Sequence, residues 1–73
     1  MQEVDARGLS CPLPLLKAKQ ALNQIQPGET IKVLATDAGS VRDFKTFTEL
    51  SGHEMLESSQ HNGCYCYVIK KTG

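Results

Sequence analysis

The stretch Cys64-Tyr65-Cys66-Tyr67-Val68-Ile69-Lys70 sets the architecture. It is rich in β-branched and aromatic residues and apolar on both faces over much of its length, the pattern of a strand inside a sheet rather than at its edge. Just before it, His61-Asn62-Gly63 is a tight-turn signal, and Glu54-Met55-Leu56-Glu57-Ser58-Ser59 reads as the other arm of a hairpin. Thr30-Ile31-Lys32-Val33-Leu34-Ala35-Thr36 is the clearest strand of the first half. Glu3-Val4-Asp5-Ala6-Arg7 is a shorter alternating one, broken by Gly8.

Two helical segments interleave with these strands. From Pro12 to about Ile25, the residues Leu15, Ala18, Leu22 and Ile25 recur at helical spacing, and Gln26-Pro27-Gly28-Glu29 ends the run. The second helix is predicted from Val41 to about Ser51. Ser40 is read as its N-cap, with Asp43 closing the capping box and Gly52 as the C-cap. Val41, Phe44, Phe47 and Thr48 or Leu50 are expected to face inward. The order βαβαββ predicts an α/β (α+β) two-layer sandwich, a four-stranded mixed sheet with two helices on one face. A chain of 73 residues is expected to form one domain over 1–73, near the lower limit for folding on its own core.

Composition narrows the function classes. Lysines and arginines number 8 and aspartates and glutamates 8, a formal charge of zero. That argues against a protein whose main task is gripping a nucleic-acid backbone. No apolar run reaches membrane-spanning length, and Met1-Gln2-Glu3-Val4-Asp5 lacks the basic start and apolar stretch of a signal peptide. A soluble cytoplasmic protein with no membrane partner is expected. Cys11, Cys64 and Cys66 are an odd set without the spacing of a disulfide scaffold. Cys64 and Cys66 share one face of their strand, where a disulfide would strain the extended backbone, so reduced thiols fit better.

Gly8-Leu9-Ser10-Cys11-Pro12-Leu13-Pro14 joins the first strand to the first helix. Pro12 has a φ suited to a first helical turn, and Pro14 still lies within that turn, where no intrahelical donor is lost. Cys11 therefore falls at or beside the N-cap, facing unpaired N–H groups and the positive end of the helix dipole. A thiolate is stabilised there, and the thiolate is the nucleophile. Right-handed crossovers put both helix starts at one sheet edge, so Cys11, Asp37, Ser40, Arg42 and Asp43 are expected on a shared surface.

A Cys–His hydrolase needs a base within reach, and both His53 and His61 are expected toward the opposite edge. A dithiol redox site usually has its resolving Cys three residues on, where Pro14 stands. What remains is one exposed thiol that accepts a group and passes it on, and a persulfide fits that behaviour. His61-x-x-Cys64-x-Cys66 invites a metal reading. A central strand holds the two cysteines too straight for a converging zinc site without a ligand from elsewhere, so no metal is expected. A second sulfur-handling role for Cys64 and Cys66 requires that their sheet face be exposed.

The Cys11-Pro12-x-Pro14 run resembles the signature of the TusA/SirA-like sulfur carriers. Asp37-x-Gly39-Ser40-Val41-Arg42-Asp43, Gly52-His53-Glu54 and Tyr65-x-Tyr67-Val68-Ile69-Lys70-Lys71 extend the resemblance over essentially the whole chain. The resemblance implies strand order 1-2-4-3 with the fourth strand antiparallel. It implies a persulfide on Cys11 with no separate cofactor, taken from a cysteine desulfurase or a rhodanese and passed to an acceptor protein. Formation of 2-thiouridine in tRNA and sulfur metabolism are the uses it suggests. Pro12 and Pro14 would shape the helix start, with Asp5, Arg7 and Gly8 forming the approach to it. Asp5, Arg7, Asp37, Arg42 and Asp43 would be docking contacts for partners, and the carrier would be a monomer.

Each of these residues also has a plainer reading. Arg42 and Asp43 could cap and solvate the second helix, and Gly8 could be a backbone requirement. Two other functions compete. An RNA-binding module would need Lys17, Lys19, Lys70 and Lys71 to form a basic patch. A scaffolding domain would use the same edge without sulfur chemistry and would survive Cys11→Ser.

Overall fold

The computed structural model describes residues 2–73. Its elements are β1 (Gln2–Ala6), α1 (Leu13–Leu22), β2 (Thr30–Ala35), α2 (Gly39–Ser51), β3 (Glu54–His61) and β4 (Cys64–Lys70). β4 is an interior strand, as its sequence demands. It pairs antiparallel with β2, Ala35 opposite Tyr65, and antiparallel with β3, His61 opposite Cys64. β1 runs parallel to β2, so the order is β1-β2-β4-β3. Asn62 and Gly63 turn the hairpin with φ of 51° and 78°. A two-residue loop needs positive φ at both positions to match the strand twist, and Asn-Gly supplies it.

The two faces of the sheet differ. Val4, Ala6, Ile31, Val33, Ala35, Tyr67 and Ile69 alternate onto the helix side and are buried with Ala18, Ala21, Leu22, Ile25 and Phe44. Ala6 and Ala35 pair in register where β1 and β2 end, and both are fully buried. Small side chains there let the start of α1 come down close to the sheet. On the other side Leu34, Cys64, Cys66 and Val68 are only half-buried. β4 is thus interior by strand pairing, with one of its two faces free of helix.

Three local expectations are corrected by tertiary contacts. α1 ends at Leu22 and not at Ile25. Gln24 and Ile25 close tight turns onto Ala21 and Leu22, and the Lys71 ammonium donates to the Ile25 carbonyl at 2.8 Å. α2 begins at Gly39 with Ala38 at the N-cap and no side-chain cap. Ser40 is instead buried, its hydroxyl 2.8 Å from the Tyr67 hydroxyl. A buried phenol needs a polar partner, and that need outweighs a local cap. The inward face of α2 is carried by Phe44, stacked on Tyr67 at 4.6 Å, with Phe47 and Thr48 half-buried. Val41 and Leu50 are exposed.

Candidate functional site

The chain leaves β1 through a turn that only glycine makes cheaply. Gly8 has φ of 81° and donates its N–H to the Thr36 hydroxyl at 2.9 Å, which ties the turn to the end of β2. Leu9 then packs against the core and its N–H returns to the Ala6 carbonyl. This anchoring delivers Cys11 to the position before Pro12, the N-cap of α1, with a cis bond between the two. Pro14 is buried and Leu13 donates to the Ser10 carbonyl at 2.9 Å, so the helix start is set by packing and one turn bond. Cys11 itself is exposed.

The start of α2 closes on it. The Cys11 N–H donates to Asp37 Oδ2 at 3.1 Å, and the Cys11 Sγ–H donates to the Asp43 carboxylate. These contacts join positions 26 and 32 residues apart in the chain. They form the shared edge that the crossover rule predicts. Gly39 lies under the junction. A Cβ there would stand 3.0 Å from Asp37 Oδ2 and 3.6 Å from the Cys11 Cβ, so any side chain would have to push the Asp37 carboxylate aside. In the sequence Gly39 stands out only as part of the Asp37-x-Gly39 motif, because nothing local marks a tertiary approach.

The electrostatics reverse an expectation. A helix start was expected to favour the thiolate, yet the pKa of Cys11 is raised. The contact with Asp43 is the main cause, followed by local desolvation and the charges of Asp43 and Asp37. A helix terminus carries only about half a unit charge. A carboxylate in contact carries a full one of the opposite sign, and Pro12 and Pro14 leave two positions of the helix start without an N–H. The resting group is therefore a protonated thiol.

The other proposed contacts do not converge on Cys11. Arg7 grips Asp5 with two guanidinium bonds of 2.9 and 3.0 Å and its own backbone N–H at 3.1 Å. The paired guanidinium holds the Asp5 carboxyl down at about 2. Alternation along β1 puts Asp5 on the helix-free face, since its neighbours Val4 and Ala6 are buried under the helices. Arg42 lines a surface groove between α1 and α2 with Leu15, Phe47 and Leu50, and the Lys19 ammonium lies 5.5 Å over the Phe47 ring. Asp43 stands at one end of that groove. His53 accepts the Thr72 N–H. His61 was expected at the far edge, but it pairs with Cys64, and β4 begins where β2 ends. It therefore lies at the same end of the sheet as Cys11, on the outermost strand, with no hydrogen bond to the thiol. Among the described residues no cluster of three or more His, Cys, Asp or Glu is placed to hold a metal, and no helix is long and apolar enough to cross a membrane. Of the four lysines in the RNA-binding alternative, Lys71 is engaged by Ile25 and Lys19 by Phe47.

Fold and site together define a small α/β sandwich built to present one thiol at the sheet edge where both helices begin. Comparison with known proteins gives the family. The family model described as sulfurtransferase TusA matches residues 2–71, and the chain belongs to that family of sulfur carriers. It is 48% identical over 71 residues to the sulfur carrier protein TusA of Allochromatium vinosum, covering 97% of this chain and 93% of that one. It is 38% identical over 68 residues to the sulfur carrier protein TusA of Pseudomonas aeruginosa, covering 93% and 86%. Among solved structures, a SirA-like protein from Desulfitobacterium hafniense superposes over 100% of both chains with a TM-score of 0.86 at 28% identity.

Proposed function

We propose that Cys11 carries sulfur between proteins as a persulfide. The observation that carries this reading is the exposed thiol of Cys11, held at the helix start by Asp37 and Asp43 in a chain of the sulfur-carrier family. In the loading step the Cys11 sulfur attacks the outer sulfur of a donor cysteine persulfide. The bond between the donor's two sulfurs breaks, a bond to Cys11 Sγ forms, and the Cys11 proton passes to the departing donor thiol. Cys11 ends as the persulfide and the donor as a free thiol, with no net oxidation. The unloading step repeats the exchange with an acceptor protein.

A cysteine desulfurase or a rhodanese is the donor class, and thiolation of tRNA or sulfur metabolism the class of use. The persulfide is the only prosthetic group the reaction requires, and the cytoplasm keeps the thiol reduced for it. Asp37 and the groove flanked by Arg42 serve as the docking surface. Intact-mass spectrometry after incubation with a cysteine desulfurase, pyridoxal phosphate and cysteine tests the reading. The chain should gain the mass of one sulfur, reductant should remove it, and Cys11→Ser should not acquire it. Failure to load from either donor class would move the scaffold reading to the front.

A further inference from the structure

Two carboxylates from one helix start, Asp37 in the loop and Asp43 on α2, close on Cys11. Neither has a salt-bridge partner among the described residues, where the one ion pair is Arg7 with Asp5. Arg42 and Asp43 both line the interhelical groove, but Arg42 makes no ion pair with Asp43 and is not among the charges that act on the Cys11 thiol. Around Cys11 the charged groups that act on the thiol are Asp43 from α2 and Asp37 from its loop. Lys17 of α1 acts on Asp5 instead. The site is thus built with an excess of negative charge against the atom that must become an anion to react.

We infer that Asp43 locks Cys11 as an unreactive thiol in the free carrier, and that a sulfur donor opens the lock by presenting a cationic side chain to Asp43. The inference rests on the persulfide reading for the donor, but the lock itself is a property of the empty carrier. As long as the thiol donates to Asp43, its proton has to be removed before the sulfur can attack, and the carboxylate opposes that removal. A cation brought against Asp43 would neutralise the opposing charge and free the thiolate only inside the donor complex. Small oxidants and electrophiles in solution bring no such group.

The test reads Cys11 by peptide mass mapping, so that Cys64 and Cys66 do not interfere. Iodoacetamide alkylation of Cys11 is followed against pH in the native protein, Asp43→Asn and Asp43→Glu, each checked for a native melting transition. The lock predicts a lower midpoint for Asp43→Asn. Alkylation at neutral pH should be faster by roughly three- to fourfold for each pH unit the midpoint falls, because the gain in thiolate is partly offset by its weaker nucleophilicity. Asp43→Glu should remain slow. A folded Asp43→Asn with an unchanged or higher midpoint overturns the lock. In a second arm, glutathione persulfide should load Asp43→Asn faster than the native protein, while a cysteine desulfurase should not. Equal acceleration with both donors overturns the cationic opening. Alkylation needs no sulfur transfer, so a failed lock leaves the carrier reading standing, and a carrier that cannot be loaded leaves the alkylation result intact.

Discussion

At Cys11 the partial positive charge of a helix start and the full negative charge of Asp43 act on the same sulfur, and the nearer, larger charge prevails. A thiol whose pKa is raised on folding stabilises the native state below its ordinary pKa and loses that contribution as pH rises through the folded value. Native stability should therefore fall at alkaline pH, above the ordinary thiol value of 9.0, and Cys11→Ala should flatten the decline in a denaturation series across that range. Asp5 has the opposite sign. Its carboxyl is lowered from 3.8 to about 2, so its contribution is present above the higher value and lost as pH falls through the lower one. Asp5→Asn should remove the acid-side slope between those two values, read by chemical denaturation at successive pH. Gly39 supplies a third expectation. A methyl group 3.0 Å from Asp37 Oδ2 has to displace that carboxylate. Amide exchange at Cys11 should then accelerate in Gly39→Ala while the rest of the protein keeps its protection.

The second helix and the central strand are joined by a polar pair inside an apolar layer. Ser40 is 1% exposed and Tyr67 1%, and their hydroxyls satisfy each other beside the Phe44 ring. Removing either hydroxyl leaves the other buried without a partner, at a cost of about 1–3 kcal/mol. Ser40→Ala and Tyr67→Phe should each destabilise by that order. The double variant should lose less than the sum of the two, because it leaves no orphan behind, and a double-mutant cycle in urea measures the coupling. Because Ser40 and Asp43 lie on the same helix, loosening this pair should also loosen the hold of Asp43 on Cys11.

For the molecule as a whole, native proteins are stable by about 0.05–0.15 kcal/mol per residue, which for a chain this short is roughly 4–11 kcal/mol. Phe44 is fully buried at the centre of the single helix-side layer. Phe44→Ala should cost about 3–5 kcal/mol, enough to leave the variant marginal or largely unfolded by circular dichroism at room temperature. The same economy of core explains the sheet's two unlike faces, since two short helices can cover only one of them.

Local chemistry was sufficient for much of this protein. β-branched residues marked β2, a run of aromatic and β-branched residues apolar on both faces marked β4, Asn62-Gly63 marked the hairpin, and Pro12 and Pro14 marked a helix start with Cys11 before it. Those signals lie within a few residues of their effects, and the handedness of the crossovers carried them as far as the shared edge of the two helices. Other features depended on partners far along the chain. Tyr67 drew Ser40 away from the cap, and Lys71 helped close the chain beyond a shortened α1. Asp43 turned an expected thiolate into a held thiol. Propensity and periodicity determined which segments became strands and helices. Burial and charge at contact distance, which exist only after the chain has folded, decided what the groups at their ends can do.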